Sequence, residues 1–405
     1  MTERIVIIGA GQAGAQAAAS LRQEGFAGAV ALIGAEAHPP YQRPPLSKAY
    51  LQGALARDRL WLRPAAFYEK ENIALRLGAR VARIDRAARR VALDTGEALA
   101  YDRLLIATGA PPRRLACPGA DLAGVAYLRG IDDSDALRPL LAGARRLVVV
   151  GAGYIGLEVA AVARKAGLAV TAVEAAERAL KRVAGPPVSA WFEALHRAHG
   201  VELRFGETVA AFEGRGRVEA AVLASGEAIA CDAVLVAIGA APETGLAAAA
   251  GLPVDDGIVV DETARTEDPA VWAAGDCANF PSPLYGRRMR LESVPNAIEQ
   301  AKAAAANMAG RRTVYDAVPW FWSDQYDAKL QTAGIGAGAD EIVERGAPGA
   351  KARAAWYLRE GRLIAVDALN DIPAFAVGKR LIAAKARPSP KTLADPDADL
   401  KSLLT

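Results

Sequence analysis

Two glycine-rich turns in this 405-residue chain have the spacing that binds the pyrophosphate of a dinucleotide. Each turn follows a short apolar run in the pattern G-x-G-x-x-G, and the glycines are Gly9, Gly11 and Gly14 in one turn and Gly151, Gly153 and Gly156 in the other. The first glycine permits a tight turn, the second leaves room for the pyrophosphate, and the third lets a helix pack closely on the strand. The N-terminus of that helix favours an anion through its unpaired N–H groups and its dipole. Two such turns predict two dinucleotides with electrons passing between them.

An acidic residue follows the second turn at the position expected of a ribose ligand. Residues 147–150 and 169–173 are predicted strands, and Glu174 closes the second of them. A carboxylate there can accept hydrogen bonds from an adenosine ribose. After the first turn, a predicted helix at 15–24 and a predicted strand at 30–33 complete a similar unit. Both units therefore have the order strand, turn, helix, strand.

The composition excludes several classes of protein. A hydrophobic content of 52% over 405 residues is enough for two to three domains, and a net charge of +3 with interspersed signs argues against a nucleic-acid partner. Cys117, Cys231 and Cys277 form no close pair, so we expect neither a disulfide framework nor a metal site. A reducing, cytoplasmic compartment is expected for such a chain. The longest apolar stretch, at 147–157, is too short to span a bilayer.

The chain repeats one domain plan. The segment IATGAPPR at 106–113 resembles VAIGAAPE at 236–243, and each follows a predicted strand. This repetition predicts an α/β fold with two Rossmann-like dinucleotide-binding domains, one inserted in the other, plus a C-terminal α+β domain. The predicted boundaries are 1–110 with 240–312 for the first domain, 111–239 for the second and 313–405 for the third. A polar, mobile tail is expected from residue 389.

A stiff loop at 36–51 contains four prolines and carries Arg43 and Lys48. Stiff loops lose less entropy on ordering, so this loop is suited to holding two cations over an anionic cofactor. A plain surface crossover is the alternative. Farther along the chain, His196 and His199 lie on a predicted amphipathic helix at 188–200 and are expected at the surface. Trp320 and Trp322, two apart in a predicted strand, are expected on the same face.

Together these motifs resemble the two-dinucleotide-binding-domain flavoproteins. More narrowly, they resemble the NADH-dependent ferredoxin reductases of the putidaredoxin reductase type, which serve cytochrome P450s and ring-hydroxylating dioxygenases. The stretches that carry the resemblance are GAGQAG at 9–14, RPPLSK at 43–48, LIATGAPPR at 105–113, GAGYIGLEVA at 151–160, AAGDCA at 273–278, ESVPNAIEQA at 292–301 and PWFWSDQY at 319–326. The glycine motifs belong to the wider fold, whereas RPPLSK, ESVPNA and PWFWSDQ narrow the match to this subfamily.

The resemblance implies FAD and NADH as cofactors and assigns residues to both. The residues implied for FAD are Gly9, Gly11, Gly14, Glu36, Arg43, Lys48, Val81, Thr108, Gly109, Arg129, Asp276, Val294 and Trp322. The residues implied for NADH are Gly151, Gly153, Ile155, Gly156, Glu174, Arg182 and Gly239. Lys48 and Glu158 are implied to pair beside the flavin as the catalytic groups. One departure is that the acidic residue usual directly after Gly34 is absent, so Glu36 is the candidate for the FAD ribose.

The implied reaction moves a hydride from nicotinamide C4 to flavin N5 and then passes single electrons to an acidic ferredoxin with a two-iron, two-sulfur cluster. Arg63, Lys302 and Lys329 are the implied docking residues, and no metal is bound by the chain itself. A disulfide reductase of the same fold would need a cysteine pair beside the flavin. Cys277, predicted to be buried, is expected to act as a small apolar residue. A redox-controlled binding protein resembling apoptosis-inducing factor and an NADH oxidase stay open as alternatives.

Overall fold

The computed structural model describes residues 3–404, which divide into two compact units. Unit 1 contains the described residues up to Gln42 together with Arg57–Pro111 and Ala241–Pro319. Unit 2 contains Arg43–Ala56, Pro112–Ala240 and the described residues from Trp320 onward. Residues 43–51 of the proline loop and the described residues from Trp320 onward thus share a unit with the second glycine turn. The three-domain boundaries given above stay a prediction.

Short strands and helices alternate through the described chain. The strands are β1 Arg4–Ile8, β2 Ala29–Gly34, β3 Ile73–Leu77, β4 Val81–Asp85, β5 Arg90–Leu93, β6 Ala98–Ala100, β7 Arg103–Ile106, β8 Val125–Ala126, β9 Arg146–Val150, β10 Ala169–Glu174, β11 Val201–Phe205, β12 Val209–Glu213, β13 Ala220–Leu223, β14 Ala228–Ala230, β15 Ala233–Val236, β16 Ile258–Val259, β17 Val271–Ala273, β18 Ala278–Ser282, β19 Arg287–Met289, β20 Trp320–Gln325, β21 Ala328–Gly334, β22 Glu341–Arg345, β23 Arg353–Arg359 and β24 Arg362–Leu369. The helices are α1 Gln12–Gln23, α2 Ala65–Lys70, α3 Ile131–Ala142, α4 Tyr154–Lys165, α5 Pro186–Ala198, α6 Gly245–Ala249, α7 Val294–Met308, α8 Ile372–Ala383 and α9 Pro390–Ala394.

Unit 1 is built on a parallel sheet with the strand order β17-β7-β1-β2-β3. The central strand β1 is buried from Ile5 to Ile8, as expected of a parallel strand covered on both faces. Helices α1 and α7 pack against each other through fully buried alanines such as Ala17, Ala18 and Ala304. Small side chains let two helices approach closely, which explains why both helices are rich in alanine.

Unit 2 contains a second parallel sheet, β11-β10-β9-β15-β8, and a C-terminal antiparallel sheet, β20-β21-β24-β23-β22. Helix α8 packs on β24 of the antiparallel sheet. The predicted α/β class, with two Rossmann-like sheets and a C-terminal α+β region, is confirmed. Helix α1 begins at Gln12 rather than at residue 15, because the glycine turn leads directly into it.

The prediction of a mobile tail from residue 389 is wrong for the part of the chain that is described. Helix α9 and a 3₁₀ helix at Leu400–Leu404 cover this segment, and Leu393 and Leu400 are buried. The guanidinium of Arg345 donates hydrogen bonds to the carbonyl oxygens of Pro396 and Ala398, at 2.9 and 3.0 Å. Two spaced leucines and one buried arginine therefore dock a segment whose composition is mostly polar.

A buried carboxylate lies on β24 of the C-terminal sheet. Asp367 accepts a hydrogen bond from the hydroxyl of Tyr357 at 2.6 Å. Burial raises the pKa of Asp367 to about 6, and the hydrogen bond from Tyr357 opposes this rise. The folded protein therefore keeps a proton on Asp367 between about pH 4 and pH 6, where the unfolded chain has lost it. Stability must fall as the pH rises through this window and stay lower above it.

We predict that Asp367→Asn stabilises the protein above pH 6, by roughly 3 kcal/mol, because it removes the cost of ionising a buried acid. Below about pH 4 the variant and the parent should unfold alike, since Asp367 is protonated in both states of the parent. Urea unfolding between pH 4 and pH 8 measures the difference, and Asp327→Asn, at an exposed aspartate, is the matched control. A stabilisation that does not change with pH would contradict the prediction.

Candidate functional site

The first glycine turn joins β1 to α1 in unit 1. Gly9 has a φ of +109°, and a Cβ at Gly9 would lie 2.1 Å from the carbonyl oxygen of Ala107. A Cβ at Gly14 would lie 1.9 Å from the carbonyl oxygen of Gly9, whereas a Cβ at Gly11 would meet no atom within 4 Å. The protein backbone itself therefore excludes a side chain at the first and third glycines. The middle glycine faces open space, where a pyrophosphate can approach.

The second glycine turn joins β9 to α4 in unit 2 and repeats this geometry. Gly151 has a φ of +102°, and its Cβ would lie 2.5 Å from the carbonyl oxygen of Ala237. A Cβ at Gly156 would lie 2.1 Å from the carbonyl oxygen of Gly151, and a Cβ at Gly153 would meet nothing within 4 Å. Neither α1 nor α4 has a side-chain cap at its N-terminus. The first helical turn of α1 and that of α4 thus present N–H groups without a side-chain cap, and such groups bind anions.

Polar groups surround the first turn within unit 1. The Gly275–Asp276 turn follows β17, and a Cβ at Gly275 would lie 3.0 Å from the Cβ of Ala13 in α1. Gln300 on α7 accepts a hydrogen bond from the N–H of Gly275 at 2.8 Å. The Nε2 of Gln300 is buried without a hydrogen-bond partner in the described chain. An unpaired buried amide beside a glycine cradle fits a bound polar cofactor such as FAD. Gln300 was not found by sequence reasoning, because no motif marks it.

The other FAD residues predicted in unit 1 lie at ends of strands and helices. Thr108 follows β7 and donates a hydrogen bond to the carbonyl oxygen of Glu243 at 2.6 Å, and Gly109 has a φ of +73°. The hydroxyl of Tyr41 donates a hydrogen bond to Glu36. Val81 is the first residue of β4, and Val294 is the first residue of α7.

The predicted NADH residues surround the second turn in unit 2. Glu174 closes β10, and its two carboxylate oxygens accept hydrogen bonds from the N–H groups of Ala152 and Ala176, at 2.8 and 2.9 Å. The acid is thus fastened to the glycine turn itself. A Cβ at Gly239 would lie 2.7 Å from a guanidinium nitrogen of Arg182, so these two predicted residues are also neighbours. Ile155 is exposed at the start of α4.

The remaining predicted FAD residues, Arg43, Lys48, Arg129 and Trp322, belong to unit 2. Arg43 donates a hydrogen bond to the carbonyl oxygen of Arg129 at 2.8 Å. Lys48 forms an ion pair with Glu158, with 2.7 Å between Nζ and Oε2, and only 4% of the Glu158 side chain is exposed.

Two serines complete the surroundings of Glu158. Ser47 donates a hydrogen bond to Oε2 of Glu158, and Ser323 donates one to Oε1 at 2.6 Å. The carboxylate therefore has three donors, which is what a buried charge requires. Sequence reasoning missed both serines, although each is adjacent to a residue that it singled out, Lys48 or Trp322.

The surface position predicted for His196 is wrong. His196 is fully buried, and its Nε2 lies 2.7 Å from Oε1 of Gln325. Burial lowers the pKa of His196 to about 4. The residue follows Val188 and Phe192 at intervals of four on α5, so it falls on the buried stripe of the helix. His199 is exposed, as predicted, and stacks on Tyr326 with 3.7 Å between ring centroids.

The prediction that Trp320 and Trp322 share a face is confirmed, with 5.6 Å between their ring centroids. Among the predicted docking residues, Lys302 and Lys329 are exposed, whereas Arg63 is half-buried with its guanidinium 4.5 Å from the ring centre of Phe67. Lys302 also pairs with an acidic neighbour on α7.

The three cysteines are free, and burial raises the pKa of the Cys277 thiol. Cys277 lies in the apolar core of unit 1, as predicted for a small apolar residue. Residues 3–404 contain no cluster of three side chains suited to a metal ion. No helix in the same range is long and apolar enough to cross a membrane.

Comparison with known proteins agrees with this geometry. Residues 3–301 match the family model described as pyridine nucleotide-disulphide oxidoreductase, and residues 320–404 match the model described as reductase C-terminal. The chain is 47% identical to rhodocoxin reductase of Rhodococcus erythropolis over 98% of this chain and 93% of that protein. It is 42% identical to putidaredoxin reductase of Pseudomonas putida over 99% of this chain and 97% of that protein.

Two solved structures are similar over essentially the whole chain. The ferredoxin reductase of the CYP199A2 system from Rhodopseudomonas palustris matches with a TM-score of 0.97 and 42% identity, covering 100% of both chains. Putidaredoxin reductase, in its covalent complex with putidaredoxin, matches with a TM-score of 0.97 and 42% identity, covering 99% of this chain and 98% of the other. The chain therefore belongs to the pyridine nucleotide-disulphide oxidoreductase family and, within it, to the ferredoxin reductases.

Proposed function

We propose that this protein is an FAD-dependent NADH:ferredoxin oxidoreductase whose two-iron ferredoxin feeds a cytochrome P450 or a ring-hydroxylating dioxygenase. The proposal rests on two glycine turns, at 9–14 in unit 1 and at 151–156 in unit 2, in a chain whose three cysteines are free. Each turn leaves space for a pyrophosphate, and we call them the cradles of unit 1 and unit 2. A disulfide reductase passes electrons to a cysteine pair beside its flavin. Without such a pair, the electrons need an acceptor outside this chain, and the relatives rhodocoxin reductase and putidaredoxin reductase are named for protein acceptors.

We assign FAD to the cradle of unit 1. When bound, FAD accepts a hydride from NADH and releases the electrons one at a time. The uncapped first turn of α1 binds the pyrophosphate, and the open space at Gly11 admits it. The Gly275–Asp276 turn lies against that helix, and Gln300 has a free donor there. Further FAD ligands assigned on the family resemblance are Glu36, Arg43, Lys48, Val81, Thr108, Gly109, Arg129, Val294 and Trp322.

We assign NADH to the cradle of unit 2, with Glu174 as the residue that selects it. Each oxygen of the Glu174 carboxylate accepts one backbone hydrogen bond and keeps capacity for a ribose hydroxyl. The 2′-phosphate of NADPH would bring a second negative charge to the same place. Arg182, beside Gly239, is the assigned adenine ligand, and Ile155 borders the dinucleotide.

Lys48 and Glu158 act on the hydride-transfer step in this proposal. The Glu158 side chain is 4% exposed and that of Lys48 19%, so removing the lysine would leave a buried carboxylate without its counter-charge. The lysine is held on the proline-rich loop, whose residue Leu46 accepts a hydrogen bond from Ser134 of α3 at 3.0 Å. This contact ties the loop that carries Lys48 to α3. The role of Lys48 is to orient charge, since the chemistry requires no protein nucleophile.

Docking and location complete the proposal. Exposed cations of a reductase attract an acidic ferredoxin and raise the encounter rate. We assign this role to Lys302 and Lys329, with Arg63 as a further contact. We place the protein in the cytoplasm, because free cysteines are typical of a reducing compartment.

The assignment of one cofactor to each cradle predicts opposite effects of two glycine substitutions. Gly153→Val should raise KM for NADH at least about tenfold while FAD stays bound, because the new side chain occupies the pyrophosphate space of unit 2 only. Gly11→Val should purify with little FAD. The flavin-to-protein absorbance ratio and ferricyanide kinetics measure both. A Gly153→Val enzyme with the parental KM, or one that loses FAD, would refute the assignment.

The role of Glu174 predicts that the parent prefers NADH over NADPH by about a hundredfold in kcat/KM, which corresponds to about 3 kcal/mol. Glu174→Gln should lose much of this preference, chiefly through weaker NADH binding. The amide is a sharper probe than alanine, because it keeps one acceptor for the backbone N–H groups. Glu177→Gln, at an exposed acid paired with Lys181, is the control. A parent that uses both cofactors equally well would rule out this role.

The ferredoxin partner is tested by comparing two electron acceptors. NADH should reduce ferricyanide directly, but it should reduce cytochrome c fast only when a two-iron ferredoxin is added. Lys302→Glu should lower the ferredoxin-coupled rate several-fold and weaken its salt dependence, with ferricyanide reduction unchanged. Lys70→Glu is the control for the same charge change in unit 1. Fast turnover with dioxygen alone would indicate an NADH oxidase, and slow turnover with every acceptor would indicate a redox-controlled binding protein.

A further inference from the structure

Strand β20 has two chemically different faces. Trp320 and Trp322 share one face. Ser323 and Gln325, also two residues apart, share the other, and both are essentially inaccessible to solvent. Burying two polar side chains on a strand costs free energy unless each of them is hydrogen-bonded. The partners of Ser323 and Gln325 therefore explain why the strand carries them.

These side chains form a continuous chain of hydrogen bonds within unit 2. His196 on α5 donates from Nε2 to Oε1 of Gln325 at 2.7 Å. Gln325 donates from Nε2 to Oγ of Ser323 at 3.2 Å, and Ser323 donates to Oε1 of Glu158 at 2.6 Å. The Glu158 carboxylate accepts from Ser323, and Ser323 in turn accepts from Nε2 of Gln325. This leaves Oε1 of Gln325 facing Nε2 of His196, so Nε2 must carry the ring hydrogen. Every donor in the chain consequently points toward the Glu158 carboxylate.

The other oxygen of Glu158 accepts from the proline loop, through Ser47 and Lys48. The carboxylate thus connects the lysine to β20 and, through β20, to α5. One atom in the network is left unsatisfied, since Nδ1 of His196 is buried without a partner in the described chain. A polar network that leaves one member unpaired is less favourable than an apolar core of the same shape. Stability alone therefore does not account for it.

We propose that His196, Gln325 and Ser323 are positioning residues that hold the Glu158 carboxylate, and through it Lys48, in the geometry that hydride transfer requires. The inference rests on the role proposed above for the Lys48–Glu158 pair. A proton-transfer role is excluded because the link between His196 and Ser323 is the amide of Gln325, which has no readily titratable proton to pass on. These hydrogen bonds instead fix the rotamer of Glu158, as supporting hydrogen bonds do for groups that need a defined geometry.

The first test uses Gln325→Met and Ser323→Ala in stopped-flow reduction of the holoenzyme by NADH. We expect the limiting rate to fall between about 10-fold and 100-fold, which is the effect of small misplacements, with the Kd for NADH changed less than about twofold. Methionine fills the volume of Gln325 with apolar atoms, so the fold should be retained. Ser20→Ala, at a buried serine of α1 in unit 1, should behave like the parent in both quantities.

A double-mutant cycle separates positioning from general loss of structure. If Gln325 acts through Glu158, adding Gln325→Met to Glu158→Gln should not slow reduction further. Thermal unfolding of the four holoenzymes should also show non-additive shifts, which is a readout independent of turnover. If the rate loss of the double variant equals the product of the losses in the two single variants, the inference is overturned.

Two further outcomes distinguish this inference from the proposed function. Parental rates in both Gln325→Met and Ser323→Ala, beside slow reduction in Lys48→Met and Glu158→Gln, would overturn the positioning role alone. Parental rates in Lys48→Met and Glu158→Gln would overturn the role of the ion pair, and the positioning role with it. In that case NADH-dependent reduction of a ferredoxin by the parent would still stand.

Discussion

The structure of unit 2 depends on the burial of one negative charge. Glu158 lies on α4, two residues after the last glycine of the turn, and its side chain is buried. A carboxylate in that position is tolerated only with several donors, and Lys48, Ser47 and Ser323 supply them. The proline loop and the strand β20 must therefore both reach α4. This requirement explains why residues so distant in the chain belong to one compact unit.

Backbone crowding imposes the second constraint, and it acts twice in the same way. In each glycine turn the first and third glycines are required because a Cβ would collide with a carbonyl oxygen of the protein. The middle glycine is required for a different reason, since nothing in the protein fills the space in front of it. The first kind of glycine protects the fold, whereas the second kind protects the ligand space. The same motif thus serves packing and binding at separate positions.

Electron transfer follows from what surrounds the cradles as much as from the cradles themselves. The cysteines form no pair that could accept two electrons within the chain, and Cys277 is buried in the apolar core of unit 1. Exposed lysines and a strand with a tryptophan face remain as features suited to an external acceptor. The absence of a cysteine pair therefore separates this chain from a disulfide reductase of the same fold. The sheet architecture is shared by both.

The sequence by itself determined the features that depend on local chemistry: the glycine spacing, the acid at the end of β10, the α/β class and the family resemblance. These signals lie within short stretches, where backbone sterics and strand periodicity act directly. Only the tertiary structure decided that His196 is buried, that the C-terminal segment docks through Leu393 and Arg345, and that Ser323 meets Glu158. Each of these depends on contacts between residues far apart in the chain, and a polar side chain has no local signature that tells whether a distant partner will satisfy it.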